Sequence, residues 1–262
     1  MGNVIISAQG VEKTYYSKKS SVQALHAIDL TVQSQEIVAV MGPSGCGKTS
    51  LAKILAGIED CTGGYLELFG QDCSHGVSKE LKQRISYIYQ DHNLLPWRSV
   101  ERNLSFPLEI MGRGKDPLSQ AKIDEALEIV GLSDYRTCLP QELSGGMMQR
   151  VGIARALVIN SDLMVMDQPF GALDAITRRK LYFDFLNIFH SSQKTIFLVT
   201  NSAEEAILFS SRIYMLDKRP GEIAKIIPID ISYEDRTPDI LHDKHFMELR
   251  MQIMESVKRQ LV

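Results

Sequence analysis

The eight residues Gly42-Pro43-Ser44-Gly45-Cys46-Gly47-Lys48-Thr49 satisfy the pattern G-x-x-x-x-G-K-[ST] in full, and no other feature narrows the possible folds of this chain so far. The pattern carries meaning only between a strand and a helix. Here an apolar run, Ile37–Met41, precedes it, and Ser50–Ala56 reads as helical. In that setting the glycines let successive backbone N–H groups turn inward as an anion nest. The helix N-terminus adds positive partial charge. Lys48 is then placed to reach the β and γ phosphates of a nucleotide, and Thr49 to offer its hydroxyl to Mg²⁺. ATP and Mg²⁺ are therefore the expected ligands, held by residues 42 to 49 together with Ser50 at the start of the helix.

Further short apolar runs read as strands: Val4–Ala8, Ile85–Tyr89, Leu163–Met166, Thr195–Thr200 and Ile213–Leu216. The later ones alternate with helix-length segments. That order predicts an α/β fold with a mostly parallel sheet and helices on both faces. Unbroken apolar runs such as Leu163–Met166 suit strands buried on both sides. In the first third, Val4–Ala8, Ala27–Val32 and Tyr65–Phe69 are separated by turn residues and predict a small antiparallel patch. The middle, about 91 to 156, reads as helical. Asp116 followed by Pro117 is a helix start, because the acid can cap and proline fits the first turn. Ile123, Ala126, Leu127 and Val130 then share one face, and Gly131 is a stop. The run Leu163–Met166 leads into Asp167, and a buried strand ending in a carboxylate is how a phosphate-loop ATPase holds its metal.

Composition closes off other classes. The chain has 262 residues, 44% hydrophobic and 23% charged, with a net charge of −3. Nucleic-acid binders usually show a basic excess, so none is expected as a partner. No run of 18 apolar residues is present, so no membrane span is expected. The first ten residues lack the layout of a secretion signal, and Ser7 lies one place beyond a myristoylation pattern. Cys46, Cys61, Cys73 and Cys138 form no C-x-x-C pair and are read as reduced thiols, not metal ligands.

Leu143-Ser144-Gly145-Gly146-Met147-Met148-Gln149-Arg150 closely resembles the signature turn of ABC ATPases, whose usual form has Gln where Met148 stands. Other elements of that family follow in order. Gln90 matches the glutamine that senses Mg²⁺ and the attacking water. Gly171-Ala172-Leu173-Asp174 is similar to the loop that meets a partner subunit. Tyr15 sits where the family stacks an aromatic on adenine, with Tyr16 the neighbouring alternative and a core tyrosine the plainer one. The resemblance covers roughly residues 3–220. It implies a P-loop ATPase domain over 3–230, with a RecA-like core over about 1–90 and 157–230, a helical insert over about 91–156 and a short, partly helical tail over 231–262. It implies that Ser144, Gly145, Gly146 and Gln149 serve ATP bound by a second ATPase subunit, two chains enclosing two ATP molecules head to tail. It also implies transmembrane permease partners, an indirect link to a solute-binding protein, and a peripheral place on the cytoplasmic face of the membrane. The segment from Gln90 to Arg98 resembles ATPases of nitrate, sulfonate, taurine and bicarbonate importers. Trp97 is then expected near the surface that receives the membrane subunit, or else as an ordinary packed aromatic. The last part of the tail, about His245 to Leu261, reads as an amphipathic helix. ABC ATPases of DNA repair and translation, with long coiled-coil insertions or two cassettes per chain, do not fit this length.

Two departures fall on the hydrolytic chemistry. Gln168 stands where the family has the glutamate that activates water, and Asn201 where it has the switch histidine. Glutamine can orient a water but cannot take its proton at neutral pH, and asparagine cannot carry a proton charge. Loss of a general base lowers rate by about 10²–10⁴. The expectation is a site that holds MgATP and cleaves it slowly, with catalytic positions Gln90, Gln168 and Asn201 and metal positions Thr49, Gln90 and Asp167. Three accounts stay open: natural degeneration, with the chain supporting the active site of a non-identical partner; an engineered change, which leaves Asn201 unexplained; and activity through a substitute base. Glu204 and Glu205 are near in sequence, but at a helix start they are expected to serve the helix dipole. His92 is read as a surface-loop histidine, and Arg178-Arg179-Lys180 as a solvated helix face.

Overall fold

This computed structural model describes residues 3–114, 116–171, 174–192, 194–217 and 219–259. Two long strands, β1 (Val4–Tyr16) and β2 (Ser21–Gln33), pair antiparallel and are followed by β3 (Ile37–Met41) and α1 (Lys48–Leu55). Strand β4 (Gly63–Leu68) and the short β5 (Gln71–Asp72) return to the first sheet, and α2 (Lys79–Lys82) leads into β6 (Ile85–Ile88). Three helices follow without an intervening strand: α3 (Val100–Ile110), α4 (Pro117–Ile129) and α5 (Gly145–Leu157). Then come β7 (Leu163–Asp167), α6 (Ala175–Ser192), β8 (Thr195–Val199), α7 (Ala203–Phe209), β9 (Arg212–Leu216), β10 (Ile223–Pro228) and α8 (Lys244–Arg259).

These strands make two sheets. The smaller is antiparallel, in the order β2-β1-β4-β5; the larger runs β10-β9-β3-β8-β7-β6. All neighbours in the larger sheet are parallel except β10, which runs antiparallel to β9. This is the α/β class the sequence predicts, with a parallel core and a small antiparallel sheet beside it.

The apolar runs are continuous because both faces of the large sheet are covered. In β3, Ile37, Ala39 and Met41 enter a core shared with α3 to α8, while Val38 and Val40 enter a second core against α1 and the small sheet. Strand β7 divides in the same way, Met164 and Met166 to the first core and Leu163 and Val165 to the second. A strand with water on one face would have alternated instead.

Helix starts follow the caps. Ser99, Asp116, Ser144 and Ser202 each accept a backbone N–H with their side chains at the N-termini of α3, α4, α5 and α7. After α4, Gly131 takes a left-handed φ of 64°. Among the strands, β1 and β2 run well beyond the expected Val4–Ala8 and Ala27–Val32. The pairing of β1 with β2 shifts register at Ala8/Val11, Val11/Lys13 and Lys13/Thr14, and these bulges break the alternation that would mark one strand. Phe69 lies outside β4 with φ of 54°, in the turn to β5. The edge strand β10 was not expected at all. Helix α8 packs on α7, and its Phe246, Leu249 and Ile253 join the first core. The expected end of this helix, Leu261, lies outside the described residues.

Phe209 shows how tightly that core is built. Its ring stacks on Phe170 at 5.6 Å and meets Tyr182 edge-on at 5.7 Å, with Phe189 at 6.0 Å. Phe209→Ala is expected to lower unfolding free energy by about 3–5 kcal/mol, the cost of a large aromatic cavity, read by urea titration.

Candidate active site

Strand β3 delivers the chain to the phosphate loop, and α1 leaves from it. Gly47 is the N-cap residue of α1, with φ of 100°. A side chain there is doubly excluded: the left-handed φ disfavours it, and a Cβ would lie 2.6 Å from the Ala24 carbonyl oxygen. The first N–H groups of α1 have no carbonyl partner one turn earlier and so are free to meet an anion. Lys48 Nζ donates to the Gly42 and Pro43 carbonyl oxygens at 2.8 and 2.9 Å, and its charge sits within the loop. Cys46 is buried beneath, and burial pushes its thiol pKa up.

The loop forms one wall of a cleft of about 370 Å³. Ser44, Gly45, Gly47, Lys48, Thr49 and Ser50 line it. Gly42, Pro43 and Cys46 shape the loop from behind without lining the cleft. Tyr15 lines the cleft too. Its hydroxyl donates to Glu59 Oε2 at 2.7 Å and lies 3.0 Å from Ser50 Oγ, which fixes the ring against α1. Tyr16 is 79% exposed and takes no part in this wall.

Asp167, at the end of β7, lies under the loop and is 1% exposed. The Thr49 hydroxyl stands beside it and stabilises its charged form, and Tyr87 donates to Asp167 Oδ2 at 3.3 Å. Its other oxygen, Oδ1, is buried without a hydrogen-bond partner. Burial raises the carboxyl pKa above its ordinary value. An orphaned buried carboxylate oxygen beside a threonine hydroxyl and a phosphate cradle fits Mg²⁺, which takes one or two carboxylates alongside substrate phosphates. Thr49, Asp167 and Gln90 are the residues that would hold it. Bound there, Mg²⁺ would neutralise phosphate charge and polarise the phosphoryl oxygens.

Gln90, Gln168 and Asn201 come from three separate loops, after β6, β7 and β8, and all face the same cleft. Asn201 Nδ2 donates to Gln168 Oε1 at 2.8 Å. Gln168 holds a left-handed φ of 51°, and its N–H donates to the Val199 carbonyl oxygen at 2.9 Å. Strained backbone of this kind concentrates at functional positions. Neither amide of the pair can take a proton at neutral pH.

Ser144, Gly145 and Gly146 do not join this cleft. They begin α5 on the helical segment, where Ser144 and Gly145 are exposed and a Cβ on Gly145 would meet nothing within 4 Å. Gln149 departs from its expected nucleotide contact. It is 1% exposed and turned inward, because its amide is bonded on both sides, to His92 and to Pro169. His92 is corrected with it: half-buried, its Nδ1 lies 2.7 Å from Gln149 Oε1. Glu205 stands in the first turn of α7, as expected, but buried. Burial keeps it from solvent, and its two oxygens accept the hydroxyls of Tyr182 and Thr200, so it is no spare base. Glu204 lies 3.7 Å from Arg179. Of the segment Gly171 to Asp174, Ala172 and Leu173 lie outside the described residues; Asp174 Oδ1 accepts the N–H groups of Ile176 and Thr177. Trp97 is 73% exposed, not packed in a core.

Two residues of the site carried no signal in the sequence. Arg219 lines the cleft and donates to the Gly45 carbonyl oxygen at 3.2 Å, although it follows β9, far along the chain. Tyr87 could be read only as a strand residue, yet its hydroxyl faces Asp167.

Comparison with known proteins agrees with this geometry. The family model described as ABC transporter matches residues 25–171. The aliphatic sulfonates import ATP-binding protein SsuB of Bacillus cereus (strain ATCC 10987 / NRS 248) is 36% identical over 254 residues, covering 97% of this chain and 96% of that protein. The taurine import ATP-binding protein TauB of Jannaschia sp. (strain CCS1) is 40% identical over 237 residues, covering 89% and 86%. Among solved structures, the dimeric post-hydrolysis state of the ATP-binding cassette MJ0796 bound to ADP and Pi superposes with a TM-score of 0.78 at 28% identity, covering 87% of this chain and all of that one.

Two outcomes are expected at this site. Lys48→Ala should weaken nucleotide binding by about tenfold to a hundredfold, the loss of charge-assisted contacts to phosphate, read by calorimetry. Asp167→Asn should act in opposite directions on stability and binding. Because burial raises the folded-state pKa, the folded protein holds this proton more firmly than the unfolded chain. The carboxyl's contribution to stability is therefore lost as pH rises through the raised value. At neutral pH the asparagine variant should melt higher than the parent without nucleotide, yet lose the further rise that Mg²⁺ adds with ATP, both read by thermal melting.

Proposed function

The chain belongs to the ABC transporter family, and from that premise we propose that it is the ATP-binding subunit of an importer for small anions of the nitrate, sulfonate and taurine class. The observation that carries the reading is the single cleft where the phosphate loop, the orphaned Asp167 oxygen and Gln90, Gln168 and Asn201 converge. The solute class rests on near-complete alignment with sulfonate and taurine import ATPases.

The residues divide the work. The N–H groups at the start of α1 and the Lys48 ammonium bind the phosphates, Arg219 adds charge at the rim, and Tyr15 offers a fixed ring for the base. Gln90 and Gln168 orient a water beside the γ-phosphate. The exposed Ser144–Gly146 turn meets ATP held by a second subunit, so that ATP draws two subunits together and its cleavage lets them part. Permease subunits receive this motion, and the solute-binding protein acts only through them. A groove of about 390 Å³ lined by Tyr89, Leu95, Phe106, Ile110 and Arg155 supports a permease helix docking there, with Trp97 exposed on the same helical segment. The subunit works peripherally, on the cytoplasmic face. Among the described residues no helix is long and apolar enough to cross a membrane.

Within this reading, the chain's own site cleaves ATP slowly. The bond between Gln168 and Asn201 favours it, since both groups of the usual water-activating pair are replaced by amides that meet each other. A non-identical partner bearing glutamate and histidine at these places would then supply most of the turnover.

The test is steady-state hydrolysis by the purified chain, and uptake of a labelled alkanesulfonate by vesicles carrying the subunit with its permease. Gln168→Glu with Asn201→His is expected to raise turnover of the isolated chain by about 10²–10⁴. Ordinary turnover in the parent chain would remove the slow-site reading. ATP-independent uptake would remove the importer reading.

A further inference from the structure

Resting on that reading of the chain as a transport ATPase subunit, we propose that Gln149 is a positioning residue, tying the helix behind the Ser144–Gly146 turn to both loops that carry Gln90 and Gln168. Gln149 lies in the second turn of α5 and is almost wholly buried, yet it lines no part of the nucleotide cleft. A buried primary amide left unbonded is costly, so its partners matter. Its Nε2 donates to the Pro169 carbonyl oxygen at 2.8 Å, one residue beyond Gln168. A carbonyl can only accept, so the nitrogen end must face Pro169 and the oxygen end must face His92. His92 Nδ1, 2.7 Å from Gln149 Oε1, then carries the proton and donates.

His92 is two residues beyond Gln90, and a second side chain of α5 holds the same loop. Arg155 donates to the Asn93 carbonyl oxygen at 2.8 Å and to the His92 carbonyl oxygen at 3.2 Å. Asn93 is kept at a left-handed φ of 44°. The loop after β6 thus hangs from α5 by three side-chain bonds, and the loop after β7 by one. Position along α5 gives this arrangement its consequence. The N-terminus of the helix is the exposed turn that meets the second subunit, and its second turn holds both water-orienting loops. Any displacement of α5 on dimer closure therefore moves Gln90 and Gln168 together. Contact at the partner's nucleotide is read directly by the chain's own site.

The experiment uses the full chain carrying Gln168→Glu and Asn201→His as the parent, so that turnover is measurable. Gln149→Leu keeps the volume and removes both bonds. It is expected to lower kcat by about tenfold or more while the Kd for MgATP moves less than about threefold, because the bonds act on the assembled site and not on the phosphate loop. His92→Ala removes one bond from a half-buried position and should give a smaller kcat loss. Combining the two should add nothing to Gln149→Leu alone, the mark of residues acting as one unit. Gln149→Glu keeps the acceptor for His92 and loses the donor to Pro169, and should fall between parent and leucine variant. If Gln149→Leu does not fold, His92→Ala and Gln149→Glu carry the same comparison. Unchanged kcat in a folded variant, equal loss of kcat and MgATP affinity, or additive effects of the two substitutions would each overturn the proposal. Failure of the parent itself to bind MgATP would instead remove the transport-ATPase reading.

Discussion

Most of this molecule exists to hold one turn of backbone still. The phosphate loop leaves β3, a strand walled in on both faces, and it is clamped from two further sides. The Ala24 carbonyl of β2 closes over Gly47, and Gly221 packs so near Cys46 that a Cβ there would lie 2.0 Å from its carbonyl oxygen. Gly221 is itself fixed to β2, its N–H donating to Ala24 and its carbonyl accepting from His26. The small sheet is therefore more than an appendage, because it sets the back wall of the anion nest. A nest made of amide dipoles is effective only when they are already aligned, since reorienting them at the moment of binding would consume the interaction. The glycines and the clamp supply that alignment in advance.

The same logic explains what the sequence revealed and what it withheld. Strands β3, β7 and β8 were legible because burial on both faces writes an unbroken apolar run. The loop was legible because its chemistry needs glycines and a lysine at fixed spacing. Strand β1 was half legible: its bulges interrupt the period of two, so only Val4–Ala8 looked like a strand. Arg219, Tyr87 and the inward turn of Gln149 depend on contacts between distant parts of the chain. Glu205 shows the limit most clearly. At a helix start an acid normally faces water and the helix dipole, yet here Tyr182 and Thr200 take both of its oxygens in the core. No local pattern distinguishes those two fates.

Burial raises the pKa of both acids of this region, but its cost is met differently at each. At Glu205 the desolvation cost is met by two hydroxyl donors, and the carboxyl serves to seat the turn that presents Asn201. At Asp167 one oxygen is served and the other is left bare. The bare oxygen costs stability in the isolated chain, and the proposed cation would be the group that satisfies it. Function here is stored as an unsatisfied group, and stability is given up to keep it.

Gln168 and Asn201 extend that argument to the reaction itself. Either substitution alone would still leave a hydrogen bond across the pair: an asparagine amide donates to a carboxylate, and an imidazole donates to a glutamine carbonyl. What the double change removes is any group that alters its protonation as water attacks. The contacts proposed for ATP, through the loop, Lys48 and Gln90, would not depend on that protonation. Catalysis draws only on interactions stronger in the transition state than in the ground state. On the proposed reading, the chain keeps the groups that would close the site on ATP and lacks the part that would open it again. In a machine driven by alternating closure and release, a site of the proposed kind would lengthen the closed state, and on that proposal the Ser144–Gly146 turn would make the longer closure available to a neighbouring subunit.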